Sequence, residues 1–280
     1  MSHRGGGHAQ RKRKNFKAEK PGENANEEDL SPIAKVFLGY QTELDARYDK
    51  HERLIKKSRD LTIESKRIIF LLHRISNDQN CDEVLEQAKL RLNDLFNTVI
   101  HDIAMELSKR EVYQFIKAYS AGLQEYVEAV SFYYYLKYGH LISIEKVHNQ
   151  DFLKDCPKGE EKVKENDVTL AEMLSPTDYI LGIADLTGEL MRKCINSVAN
   201  GDIDEPFQLC YVLQNIHEAF LIYSNHSREL KRKIFTLQNS LRKVENACYA
   251  IQIRGSEIPK HMLADFFSCD EFQESANCED

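Results

Sequence analysis

The chain has 280 residues, 42% hydrophobic and 30% charged, with 12 glycines, 6 prolines and a formal net charge of −7. That length can bury a substantial core, but a net-acidic chain has no global attraction for nucleic acid, so any such binding must come from a local patch. Low glycine and proline with abundant leucine, isoleucine, glutamate and lysine argue for a mostly helical protein.

No apolar run approaches the length of a membrane span. The seven cysteines form no Cys-x-x-Cys pair, and no signal peptide precedes them, a combination that reads as reduced intracellular thiols. The expectation is a soluble protein of the cytoplasm and nucleus.

In chain order, residues 1–30 are rich in glycine, asparagine and charge, with almost nothing to bury, and read as a disordered tail. Within it Arg11, Lys12, Arg13 and Lys14 form a basic run that suits a nuclear-import signal or an RNA-touching arm, or is simply a solvated tail. Ser31-Pro32 then looks like an N-cap and first helical residue. The helical pattern continues to about Ile75, with Leu54, Leu61, Ile68, Leu72 and Ile75 on one side. On the other side Lys56, Arg59, Lys66, Arg67 and Arg74 share a broad sector, which could track a phosphate backbone or be a solvated face paired with local acids.

A break at Asn77–Asn80 and a cap at Asp82 predict a second helix to about Leu107. A third is predicted over 109–138, ending near Gly139, and a short one from Ser143. The segment 154–167, dense in Lys, Glu, Pro and Gly, reads as a mobile charged insertion. Beyond it Ser175 caps a helix that has Pro176 at its first position and runs to about Asn200, where Gly201 stops it. Two more helices are expected, from Asp204 to about Ser224 and from Ser227 to about Arg254. The prediction is therefore an all-α bundle of six to seven helices, several of them long, forming one domain over 31–265, with an acidic tail at 266–280.

Two stretches carry acids in an unusual setting. Between Lys117 and Lys137 the only charged residues are Glu125 and Glu128, opposite an apolar stripe of Tyr119, Leu123, Tyr126, Val127, Val130, Tyr133 and Tyr134. Between Asp178 and Arg192 the only ones are Asp185 and Glu189, whose Cβ atoms on a helix lie about 6 Å apart. Gly182 and Gly188 beside them leave room for another helix or a substrate backbone. Two like charges on a helix that is apolar nearly all round are costly without a compensating cation. Each pair could instead be partly exposed, or paired with a distant arginine such as Arg74.

If the helices face each other, Glu125, Glu128, Asp185 and Glu189 form an all-oxygen ligand set suited to Mg²⁺ or Mn²⁺ rather than zinc or copper. No Glu-x-x-His follows either pair, which argues against a di-iron bundle, and no DDxxD cluster marks an isoprenoid synthase. Magnesium held by few carboxylates suits phosphodiester or phosphoanhydride chemistry, with one carboxylate free to act as general base.

The segments ELDARYDKHERL (43–54), ESKRIIFLLHRI (64–75), GLQEYVEAVSF (122–132), DYILGIADLTGELMR (178–192), CINSVANGDIDEPF (194–207) and KVENACYAIQIRGSEIPKHMLAD (243–265) together resemble the translin-associated factor X proteins, a branch of the translin family. The resemblance implies an α-helical subunit that assembles with translin into a hollow hetero-oligomer. That complex is expected to be an Mg²⁺-dependent endoribonuclease acting on single-stranded RNA and nicked passenger strand, in activation of the RNA-induced silencing complex and in trimming of tRNA fragments. On the same resemblance Glu125, Glu128 and Asp185 are the catalytic carboxylates, with Glu189 as a fourth metal ligand. The rival expectation is a non-catalytic scaffold that stabilises and escorts translin, with the acids serving as a structural ion site.

Overall fold

The structure is a computed structural model that describes residues 31–75, 78–153 and 168–254. The basic run Arg11–Lys14, the 154–167 insertion and the acidic tail lie outside the described residues. Among the described residues every regular element is helical, and no helix is long and apolar enough to cross a membrane. The chain divides into two compact units, one ending at Tyr48 and one beginning at Asp49.

Helix α1 spans Pro32–Leu72, and Ser31 Oγ accepts from Ala34 N–H (3.2 Å) as the expected N-cap. Its turns up to Tyr48 expose Ile33, Phe37, Tyr40, Leu44 and Tyr48, whereas from Leu54 onward a seam of Leu54, Leu61, Ile68 and Leu72 is buried. Helix α2 (Asp78–Leu95) starts four residues before the predicted cap at Asp82. Asn80 does not break the chain there, because its side-chain amide donates to the Arg74 carbonyl (3.2 Å) and ties the new helix to the preceding turn. The helix continues through a π turn at Phe96–Ile100 into α3 (His101–Glu106).

Helix α4 (Val112–Tyr138) closes on Gly139 in the left-handed region, φ +75°, where a side chain would be strained. It is buried on nearly every side, as its composition demands. Tyr119 OH donates to the Val112 carbonyl and Tyr126 OH to Gln150 Oε1, both at 2.9 Å, so these buried phenols are satisfied. Helix α5 (Ile144–Asn149) is capped by Ser143, and a short α6 (Leu170–Met173) follows. The sequence reading missed α6, although Thr169-Leu-Ala-Glu172 is a capping-box pattern and Glu172 accepts from Thr169 N–H at 2.9 Å.

Helix α7 (Pro176–Ala199) is capped by Ser175 as predicted, and α8 (Asp204–Ile222) follows after Gly201. Helix α9 (Arg228–Arg254) buries Leu230, Ile234, Leu237, Leu241, Val244, Cys248 and Ile251. Their alternating three- and four-residue spacing is that of a coiled-coil seam, and it packs on α7 and α8. The predicted six to seven helices thus correspond to six long helices plus the one- to two-turn segments α3, α5 and α6 among the described residues. Among the described residues Cys194, Cys210 and Cys248 are buried thiols outside any disulfide.

Two glycines bring helices close enough to position the acids. Gly122 N–H donates to Ser58 Oγ (3.2 Å), which seats α4 on α1. At Gly182 an added Cβ would stand 2.7 Å from Val127 Cβ and 2.8 Å from the Gln124 carbonyl, so α7 lies directly against α4. Gly188, six residues on, meets nothing within 4 Å.

Gly182→Ala should therefore destabilise by about 1–3 kcal/mol through overpacking. Gly188→Ala should be neutral or stabilise by up to about 1 kcal/mol through helix propensity. Urea midpoints of the two variants check the contrast, and equal midpoints would contradict the close α4–α7 crossing.

Candidate functional site

The α4–α7 crossing decides what happens to the two acidic pairs. Val127 of α4 and Gly182 of α7 are in contact, and Glu125, Glu128, Asp185 and Glu189 all open into one cavity of about 740 Å³ beside that crossing. Gly188 lies in its wall, so the second glycine leaves the cavity open while the first closes the helices together. Helices α1 and α9 complete the lining with Lys66, Ile69, Phe70, Arg232, Lys233, Thr236 and Ser240.

Each acid has a distinct environment. Lys66 Nζ reaches Glu125 at 3.0 Å, and the hydrogen bond to that glutamate, with its charge, raises the lysine pKa. Lys233 Nζ donates to both oxygens of Asp185, at 2.5 and 2.6 Å. His73 Nε2 lies 2.5 Å from Glu189, with Arg192 at 3.8 Å. The hydrogen bond from His73 is the main reason that Glu189 holds its proton less tightly than a free glutamate. Glu128 is the most buried, at 8% exposed, and among the described residues it alone of the four has no ion-pair partner. Burial first, and then the charges of Glu125, Asp185 and Glu189, push its pKa up to about 8.

The convergence of four acids meets the condition on which the predicted cation site depended. The acidic stretches are free of lysine and arginine, but the cavity is not, because α1 and α9 deliver Lys66 and Lys233 from elsewhere in the chain. Arg74 is exposed in the turn after α1 and pairs with none of the four acids among the described residues. Of the predicted basic stripe only Lys66 enters the cavity. Lys56 and Arg59 line a separate groove with Asp49, Glu52 and Arg53, and Arg67 pairs with Glu64.

The residues that sequence reasoning missed are Lys233, His73, Arg232 and Phe70. Spacing carried part of the signal, since Lys66, Ile69, Phe70 and His73 fall on one face of α1 at three- and four-residue steps. Lys233 ends the only Lys-Arg-Lys run of α9. Neither observation reveals its partner without the fold.

As the side chains stand, no three His, Cys, Asp or Glu residues among the described residues are arranged to hold one metal ion. Two of the four acids are instead held by ammonium groups. The donor chemistry nevertheless fits a hard divalent cation. Every acid ligand is oxygen, and Glu128 sits buried among three other carboxylates whose repulsion it registers. The lysines supply the positive charge that such a cluster requires.

The family model described as the translin family matches residues 49–255. The chain belongs to the translin family. The match begins where the second compact unit begins, so the translin-family part of the chain is the part that holds the acidic cavity. Translin-associated protein X of Rattus norvegicus is 46% identical over 271 residues, covering 94% of this chain and 93% of that protein. The Translin-associated protein X homolog of Schizosaccharomyces pombe is 31% identical, covering 80% and 90%. Among solved structures, a chain of the AfC3PO–duplex RNA complex aligns with a TM-score of 0.58 at 17% identity, covering 79% of this chain and 99% of that one. That similarity establishes a shared fold.

The raised pKa of Glu128 has a thermodynamic consequence. Below the range in which an exposed glutamate ionises, both folded and unfolded chains hold the proton. Between there and about 8 the unfolded chain releases it while the folded one keeps it, so stability falls as pH rises. Glu189, with its lowered pKa, acts in the opposite direction at lower pH. In EDTA the urea midpoint of the wild type should therefore drop between pH 5.5 and 8.5, and Glu128→Gln should flatten that drop. An unchanged slope in the variant would show that Glu128 ionises normally.

Proposed function

We propose that this chain is the catalytic subunit of a complex with translin that cleaves RNA endonucleolytically with Mg²⁺ or Mn²⁺. The observation that carries the reading is the meeting of Glu125, Glu128, Asp185 and Glu189, from two helices, in one cavity that also holds Lys66, Arg192, Arg232 and Lys233. Acids that can hold a hard cation, next to cations that can hold phosphate, are the two components that phosphodiester cleavage needs. The partner follows from the relatives, which are named for their association with translin.

In this reading Glu125, Glu128, Asp185 and Glu189 would hold the cation. When bound, the ion supplies Lewis acidity that polarises the phosphoryl oxygen and favours attack by water. Lys66 and Lys233, freed from their carboxylates, turn to the non-bridging oxygens of the scissile and flanking phosphates, with Arg192 and Arg232 at the margin. Glu128 accepts the proton of the attacking water at its carboxylate oxygen. The water oxygen bonds to phosphorus, the P–O3′ bond breaks, and O3′ leaves with a proton from solvent. The products carry a 5′-phosphate and a 3′-hydroxyl. Single-stranded RNA and the ends of nicked passenger strand are the expected substrates, and the basic run Arg11–Lys14 would direct a share of the protein to the nucleus.

A second reading rests on Lys233 and Asp185. A carboxylate held through both oxygens by an ammonium group is already neutralised, as suits a scaffold subunit that stabilises translin without cutting RNA.

One experiment separates the two. The complex with translin is given single-stranded RNA in Mg²⁺ or in EDTA. The nuclease reading requires metal-dependent cleavage that Asp185→Ala and Glu125→Ala each reduce by about 100-fold or more, with assembly and RNA binding retained. Activity that survives both substitutions would remove the site assignment, and no metal-dependent cleavage by the wild type would leave the scaffold.

A further inference from the structure

The stretch Ile68–Leu72 of α1 is apolar throughout, and four of its five side chains are turned into the core: Ile68, Ile69, Leu71 and Leu72 are at most 6% exposed. Phe70 is the exception at 65%, and it stands on the wall of the acidic cavity, one helical turn from Lys66. Burying a phenylalanine side chain is favourable, a gain that this position forgoes. The same cavity is lined by carboxylates that could hold a cation and by Lys66, Arg232 and Lys233 for phosphate. An exposed aromatic face beside a phosphate-binding cavity is the arrangement by which proteins stack an unpaired base. The cavity volume of about 740 Å³ is within the range of small-molecule sites, enough for a nucleotide unit.

We infer that Phe70 is the specificity-determining residue of this site, a platform on which an unpaired base next to the scissile phosphate stacks while Lys66 and Lys233 hold the phosphates around it. The inference rests on the nuclease reading and adds the residue that selects its substrate. A base within a duplex has both faces covered by its neighbours, so stacking on Phe70 requires a single strand or an unstacked end. Selection for single-stranded RNA then comes from the face of one aromatic ring. The neighbouring cations attract phosphates of any strand and cannot make that choice.

The test uses the full chain assembled with translin and single-stranded RNA oligomers in which one nucleotide at a time is abasic. Phe70→Ala should raise KM by about 5- to 150-fold, the range of base–aromatic stacking, with kcat largely kept, and Phe70→Trp should restore the wild-type KM. At one abasic position the wild type should lose as much as Phe70→Ala loses on intact RNA, and Phe70→Ala should lose nothing further there. An unchanged KM in an active Phe70→Ala complex, or losses that add at every abasic position, would overturn the inference. So would a Phe70→Ala complex of altered size, which would make the ring an assembly contact. Should the wild type not cleave at all, the nuclease reading fails by itself. Stacking is then judged by quenching of a 2-aminopurine-labelled strand in EDTA, which Phe70→Ala must relieve for the platform to stand.

Discussion

Four carboxylates held in one cavity repel one another, and the surrounding structure is arranged to hold them there. The repulsion is visible at Glu128, whose pKa is driven to about 8 by burial and by its three acidic neighbours. Nothing flexible brings them together. Glu125 and Glu128 project from the central helix, which is buried on nearly all sides, and Asp185 and Glu189 from a helix pressed against it at Gly182. Opposing charges then come from Lys66 and Lys233 on the two flanking helices, and His73, in the turn after the first of them, hydrogen-bonds Glu189. Removing one such partner would leave a partly buried carboxylate without its ion pair.

That arrangement serves stability and chemistry together. A cluster that must be compensated is stable with ammonium groups in place, and the same acids are the donor set that a divalent cation prefers. Under the proposed function, exchanging one kind of positive charge for another would leave the protein scaffold untouched, because α4 and α7 are fixed by packing and only long, flexible lysine side chains would need to move. Lys66 is well suited to that, with its side chain largely in solvent even while it contacts Glu125. Gly188 keeps the approach open on the side away from the helix crossing.

Much of the fold was legible in the sequence because its signals are local. Ser31-Pro32 and Ser175-Pro176 mark helix starts, Gly139 and Gly201 mark ends, and the apolar stripe of 119–134 marks a buried central helix. Errors arose where local and longer-range preferences compete. Asn80 reads as a helix breaker by composition but bonds back to Arg74 and sits inside α2, and the four-residue α6 is too short to show periodicity. The acidic residues were also legible, because charge inside an apolar helix is a departure from the pattern and stands out without any knowledge of neighbours.

The sequence by itself therefore determined the helical class, the order of the long helices and the two acidic pairs that need a cation. It could do so because periodicity, capping and charge placement are properties of short stretches. Only the tertiary structure decided that α4 and α7 face each other, that Lys66 and Lys233 neutralise the acids, and that Phe70 shares their cavity. Those facts join residues far apart in the chain, Lys233 and Asp185 by 48 positions. Their contacts follow from helix packing at Gly122 and Gly182, where the absence of a side chain sets how closely two backbones approach. A glycine in a sequence shows that such an approach is possible, and the fold shows which helix makes it.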